Sequence, residues 1–250
     1  EGWTRWIIEK HKSETSFCCS DFKTIVDAQV RGSIEKRVKT IIFPDQSATQ
    51  ILNGYAKGSM PDELAGGVGK EGVENLKKFI EAGGTLVFLN RASNFAIEQF
   101  KLPVKDVTQG VARKDFFIPG SILRTELDPN HPITKGMPEQ AIAWFENSPV
   151  FEIDVKQYEE AYNKAVNPVT LPEDISQIMA PTVRVIAKYP TDPKQILLSG
   201  WALGAEKIAG KAALIEVKMG KGKIILFGFR PQYRGQSLAT YPLLFNAISN

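Results

Sequence analysis

The chain has 250 residues, 31 of them basic and 28 acidic, for a formal net charge of +3. A chain of about that length hides roughly three quarters of its unfolded surface on folding, so it needs neither disulfides nor metals as staples. Its charges are dispersed, which excludes the concentrated basic block of a nucleic-acid footprint, and no run of about 18 apolar residues is present to span a membrane.

Trp3, Trp6, Ile7 and Lys10 recur at helical spacing, so the chain opens in an amphipathic helix. Sheets of α/β domains ordinarily begin with a strand near their centre, and a strand is therefore expected upstream of Glu1, this chain being a portion of a longer protein. The first residues lack the charged-then-apolar order of a signal peptide. Cys18 and Cys19 are adjacent, which suits neither a mutual disulfide nor a metal set of their own.

Residues 39–43, 85–89 and 223–229 are apolar, partly β-branched, and closed by Pro, Asn or Arg, the pattern of strands buried on both faces and lying parallel. Between the first two, Val73, Leu76, Phe79 and Ile80 make one apolar stripe of a helix over residues 71–82, which Gly83-Gly84 ends. From residue 110 to 200 the chain is rich in proline between short runs at 122–127, 141–145 and 183–189, a β-rich insertion. Residues 157–165 suit a short helix and 167–181 an exposed loop. Residues 212–219 and 223–229 flank Gly220-Lys221-Gly222 as a hairpin, and Tyr241, Leu244, Phe245 and Ile248 form one face of a closing helix. The expected architecture is α/β, a flavodoxin-like or amidotransferase-like doubly wound sheet formed by residues 1–109 and 201–250, with residues 110–200 inserted.

The glycines of Gly67-Val68-Gly69-Lys70-Glu71-Gly72 match a dinucleotide-binding spacing, but no strand precedes them, so a plain connection is the better reading and no cofactor is expected. His11 and Glu14, with His131 far downstream, follow the order of a zinc site, yet a supporting shell is missing, and His131 stands in a turn where its imidazole can satisfy nearby backbone. Trp3, Trp6, Trp144 and Trp201 are expected in the core rather than as a sugar platform. The better candidates are polar residues at the strand ends: Asp45 and Gln46, then Asn90, Arg91 and Ser93, then Arg230, Gln232, Tyr233 and Arg234. On one rim they would suit carboxylates or sugar hydroxyls. The plainer use of Arg91, Arg230 and Arg234 is to pair with Asp45 and Glu146 and so fix loops.

Phe43-Pro44-Asp45-Gln46, the run from Gly83 to Ser93, and above all Phe227-Gly228-Phe229-Arg230-Pro231-Gln232-Tyr233-Arg234-Gly235-Gln236 resemble the carboxyl-terminal region of bacterial M14-family zinc carboxypeptidases, which is similar to class I glutamine amidotransferase domains. The resemblance implies a secreted or periplasmic parent enzyme whose zinc ligands lie in an upstream peptidase domain. Amidotransferases carry a cysteine at the strand-to-helix turn and a histidine after a late strand; here those neighbourhoods read Arg91-Ala92-Ser93 and Phe229-Arg230-Pro231. The expectation is a non-catalytic accessory domain that docks to its peptidase, supports a homo-oligomer, or binds a peptide or glycan. The alternative is a hydrolase using Ser93 or a metal at His11, Glu14 and His131.

Overall fold

The computed structural model describes residues 2–11, 22–156 and 182–250. Cys18, Cys19, Glu14, the expected helix at 157–165 and the loop at 167–181 lie outside the described residues. The strands are β1 (Thr40–Phe43), β2 (Thr85–Leu89), β3 (Val104–Asp106), β4 (Pro119–Leu127), β5 (Gln140–Glu146), β6 (Phe151–Ile153), β7 (Thr182–Lys188), β8 (Leu197–Ser199), β9 (Ala212–Met219) and β10 (Gly222–Phe227); all but the short β3, β6 and β8 fall on the expected runs. The helices are α1 (Gly2–His11), α2 (Asp27–Arg31), α3 (Ala48–Asn53), α4 (Gly69–Glu81), α5 (Ala92–Phe100) and α6 (Tyr241–Ser249).

All ten strands join one mixed sheet, ordered β1-β2-β10-β9-β7-β4-β5, with β8 beside β4, and β6 joining β9 to β3. β2 pairs in parallel with both β1 and β10, as the sequence predicts, and the turn at Gly220-Lys221 sends β10 back antiparallel to β9. The strands at residues 110–200 are continuous with this sheet, β4 meeting β7 and β7 meeting β9.

Alternation along the central strands shows why they read as unbroken apolar runs. Leu86 and Phe88 of β2, with Leu226 of β10, face a core built with Leu76, Ile80 and Phe95 of α4 and α5. Val87 and Leu89, with Ile225 and Phe227, face a second core shared with Ile7 of α1, Leu244 of α6, and Leu123 and Phe145 of β4 and β5. Both faces are covered, so each strand residue is buried whichever way it points. The α4 stripe ends as expected: Gly83 takes φ 107°, and a Cβ on Gly84 would stand 2.3 Å from the Phe79 ring.

Tryptophan placement departs from the expectation. α1 turns Thr4, Ile7 and Ile8 inward, leaving Trp3 and Trp6 51% and 40% exposed over Gly235, while Trp201 is 62% exposed. Ile7 and Ile8 suffice to seat the helix, so its larger rings stay on the outer face. Trp144 is half-buried and Phe145 buried.

Gly67 is tightly packed against the backbone. A Cβ on Gly67 would lie 2.5 Å from the Ile51 carbonyl oxygen, and a short 3-10 helix, Asp62–Leu64, stands upstream where a nucleotide fold would need a strand.

Candidate functional site

Parallel strands end side by side, so the residues following β1, β2 and β10 gather at the crevice where such sheets hold ligands. Asp45 lies at the centre. Its Oδ1 accepts from Arg91 Nε at 2.9 Å and from the Arg91 backbone N–H at 3.3 Å, while its Oδ2 accepts from Arg230 Nε at 2.6 Å. Arg230 Nη1 reaches on to Glu146 Oε2 at 2.6 Å, at the end of β5. Two carboxylates and two guanidiniums thus neutralise one another.

Burial alone would raise the Asp45 carboxyl, but the Arg91 hydrogen bond and the charges of Arg230 and Arg91 outweigh it and hold it below the usual carboxylate range. Burial would likewise lower Arg230, and Asp45 and Glu146 reverse that, raising it above its ordinary value. Gln46 is exposed beside this network.

The turn from β2 into α5 is sharp. Asn90 takes φ 54°, a left-handed conformation that Asn tolerates better than most residues, and its N–H donates to Phe227 O at 2.8 Å. Its side chain is 0% exposed, and neither Oδ1 nor Nδ2 has a partner among the described residues. In a strand-to-helix nucleophile elbow the N–H of the next residue stabilises the oxyanion. Here that N–H belongs to Arg91 and faces the Asp45 carboxylate. Ser93 is buried, its hydroxyl donating to Phe227 O at 3.1 Å and lying 3.4 Å from Phe88 O.

The stretch after β10 explains its own composition. Tyr233 stacks on Trp144 at 4.2 Å with rings 18° apart, while the guanidinium carbons of Arg234 and Arg230 sit 5.2 and 5.8 Å from its centroid. Gln232, expected at the crevice, is buried instead and donates to Thr4 Oγ1 at 2.7 Å, which ties α1 down. Pro231 O accepts from Ser237 Oγ and Thr240 Oγ1 at 2.8 and 2.6 Å. Arg234, expected among the loop-fixing ion pairs, is exposed in a left-handed turn, with its recorded contact on Tyr233.

The histidines lie apart from Asn90 and Ser93 in their contacts. His11 packs edge-on against Tyr241 and Phe245 at 5.8 and 5.9 Å. His131 is buried; its Nδ1 accepts from Ile133 N–H at 3.2 Å, as the turn reading predicts, and its Nε2 stands 3.6 Å from Glu216 Oε2. Burial would raise Glu216, but the neighbouring His131 and the Lys223 charge hold it low. Among the described residues, no three His, Cys, Asp or Glu side chains gather as a metal set.

Sequence reasoning missed the Trp144–Tyr233 stack and the Thr4–Gln232 bond, both between residues far apart in the chain. It also missed Glu216, whose only signal is a carboxylate inside an apolar strand.

No family model matches the chain, and no curated protein matches it either. Among solved structures, a cytoplasmic protein from Salmonella typhimurium is similar in fold, with a TM-score of 0.50 and 12% identity over 98% of this chain and 84% of that one. A ThuA-like protein from Bacteroides uniformis gives 0.43 and 15% over 98% and 80%, and one from Parabacteroides merdae 0.42 and 10% over 86% and 89%. The fold is α/β, one mixed sheet with a hydrophobic core on each face.

Proposed function

We propose that the chain is a non-catalytic amidotransferase-like module that acts by docking, assembly or ligand binding. The turn at Asn90 carries this reading: an amide stands where a nucleophile would be presented, and the adjoining N–H donor is taken by Asp45. A hydroxyl nucleophile needs a base within hydrogen-bond reach, whereas the Ser93 hydroxyl is spent on main-chain carbonyls. Its carboxypeptidase partner, zinc-bearing upstream domain and secreted or periplasmic setting rest on the sequence resemblance. Arg234, exposed at the rim and outside the Asp45–Glu146 network, is the group a peptide or glycan carboxylate would meet.

Ammonia release from glutamine and hydrolysis of an activated ester test the reading. The chain is expected to match buffer in both; a rate that Ser93→Ala abolishes would overturn it. For binding, a thermal-shift screen of peptides and oligosaccharides should find stabilisers that Arg234→Ala weakens. Arg230 is the wrong probe, since its charge is already neutralised within the protein.

A further inference from the structure

The outer face of α1 and the turn after β10 meet in one exposed surface. Trp3, Trp6 and Lys10 recur on the side of α1 that Ile7 and Ile8 do not bury, and both indoles close over Gly235, where a Cβ would stand 2.8 Å from Trp6 and 3.4 Å from Trp3. Arg234, next to that glycine, is exposed, and Leu238, three residues beyond it, is 65% exposed. Two indoles and a leucine held this far into water forgo the hydrophobic free energy that a covering surface would supply.

Charge narrows what that surface can be. Lys10 and Arg234 are exposed cations, Glu9 of α1 is engaged by Arg5 at 2.9 Å, and residues 231–250 contain no acidic residue. A two-fold pair of this face would bring cation against cation, and a basic partner would be repelled, whereas an anionic one is attracted. Ring geometry narrows it further. Trp3 and Trp6 stand edge to face, 5.9 Å apart and 81° from coplanar, and Lys10 Nζ lies over the Trp6 ring at 4.8 Å, so the pair offers no flat platform for a sugar ring.

Indoles with cations at their own level fit the border of an anionic bilayer, where tryptophan settles among the headgroups and Lys and Arg reach the phosphates. Such a surface demands no pocket from either side. We propose that the outer face of α1, with Arg234 and Leu238, binds anionic lipid peripherally, Trp3 and Trp6 entering the headgroup layer. The inference goes beyond the non-catalytic reading and stands independently of it.

Co-sedimentation with vesicles of equal parts phosphatidylglycerol and phosphatidylcholine is the test. The chain is expected to partition onto them and not onto pure phosphatidylcholine, and bromine-labelled acyl chains should quench its tryptophan emission. Trp3→Ser and Trp6→Ser should each weaken partitioning about tenfold, the worth of one buried aromatic side chain. Lys10→Gln and Arg234→Gln should each weaken it about fivefold, as should a rise in salt, while Trp201→Ser leaves it unchanged. If Trp6→Ser loses the parent's circular dichroism, Trp3→Ser and Lys10→Gln decide. No partitioning, partitioning that Trp3→Ser leaves intact, or equal partitioning onto neutral vesicles overturns the proposal. Binding to polyglutamate in place of vesicles would overturn it too, and would assign the surface to an acidic polypeptide.

Discussion

Two borders of the sheet handle their polar groups in opposite ways. Where β1, β2 and β10 end, Asp45, Glu146, Arg91 and Arg230 satisfy one another and the turn after β2 is buried. Along β8, an uncharged apolar run leaves its backbone facing out. The crevice where an α/β sheet ordinarily does its work is internally closed, while Leu197, Leu198 and Trp201 stay exposed at the antiparallel edge. Fold class designates a place for function; side chains decide whether that place is in use.

The sharpest break between the borders comes from packing. Phe88 stacks on Phe43 at 4.5 Å and lies 6.0 Å from Phe95 beneath the rim. Phe88→Ala should destabilise the protein by about 3–5 kcal/mol, whereas Trp201→Ala at the exposed edge should stay within about 0.5 kcal/mol at concentrations where the chain is a single copy. Urea unfolding midpoints check both.

Asp45 comes next. Removing it leaves a half-buried Arg230 with only Glu146, and Asp45→Ala should cost about 2 kcal/mol, below the value for a fully buried pair because Arg91 is half exposed. The pH dependence has a definite sign. Asp45 is held below the ordinary carboxylate range, so its contribution is complete above the unfolded-state value and is lost as pH falls through the folded one. The stability gap between the parent chain and Asp45→Asn should be flat from about pH 7 to 5 and close toward about pH 3. A gap unchanged at acid pH would show that the carboxylate does not anchor the rim.

The two borders also differed in legibility. The parallel strands could be found because residues 85–89 must be apolar on both faces, and their ends followed directly, which brought Asp45, Arg91 and Arg230 together on paper. For Gln232 and Tyr233 the sequence shows only that they follow a strand; whether they turn toward solvent or toward Thr4 and Trp144 depends on partners more than 80 residues away. Hydrophobicity alone places Trp201 in the core, because it does not register whether any element remains to cover it. The open edge of β8 is likewise a property of topology, set by which strand lies next to it and carried by no motif.

The smallest effect concerns the amide at Asn90. A buried amide without hydrogen bonds costs about 1–3 kcal/mol, and a left-handed backbone adds strain for any side chain with a Cβ. Asn90→Gly removes both while enlarging the entropy of the unfolded chain and leaving a small void, so the terms nearly cancel and stability should change by less than about 1 kcal/mol, on the stabilising side. Thermal melts of Asn90→Gly against Asn90→Ala separate the contributions, since alanine loses the amide but keeps the strain and should be the less stable of the two. If glycine instead destabilised by several kcal/mol, the amide would be held by a partner at the crevice, and the closed rim would have to be reconsidered as an occupied one.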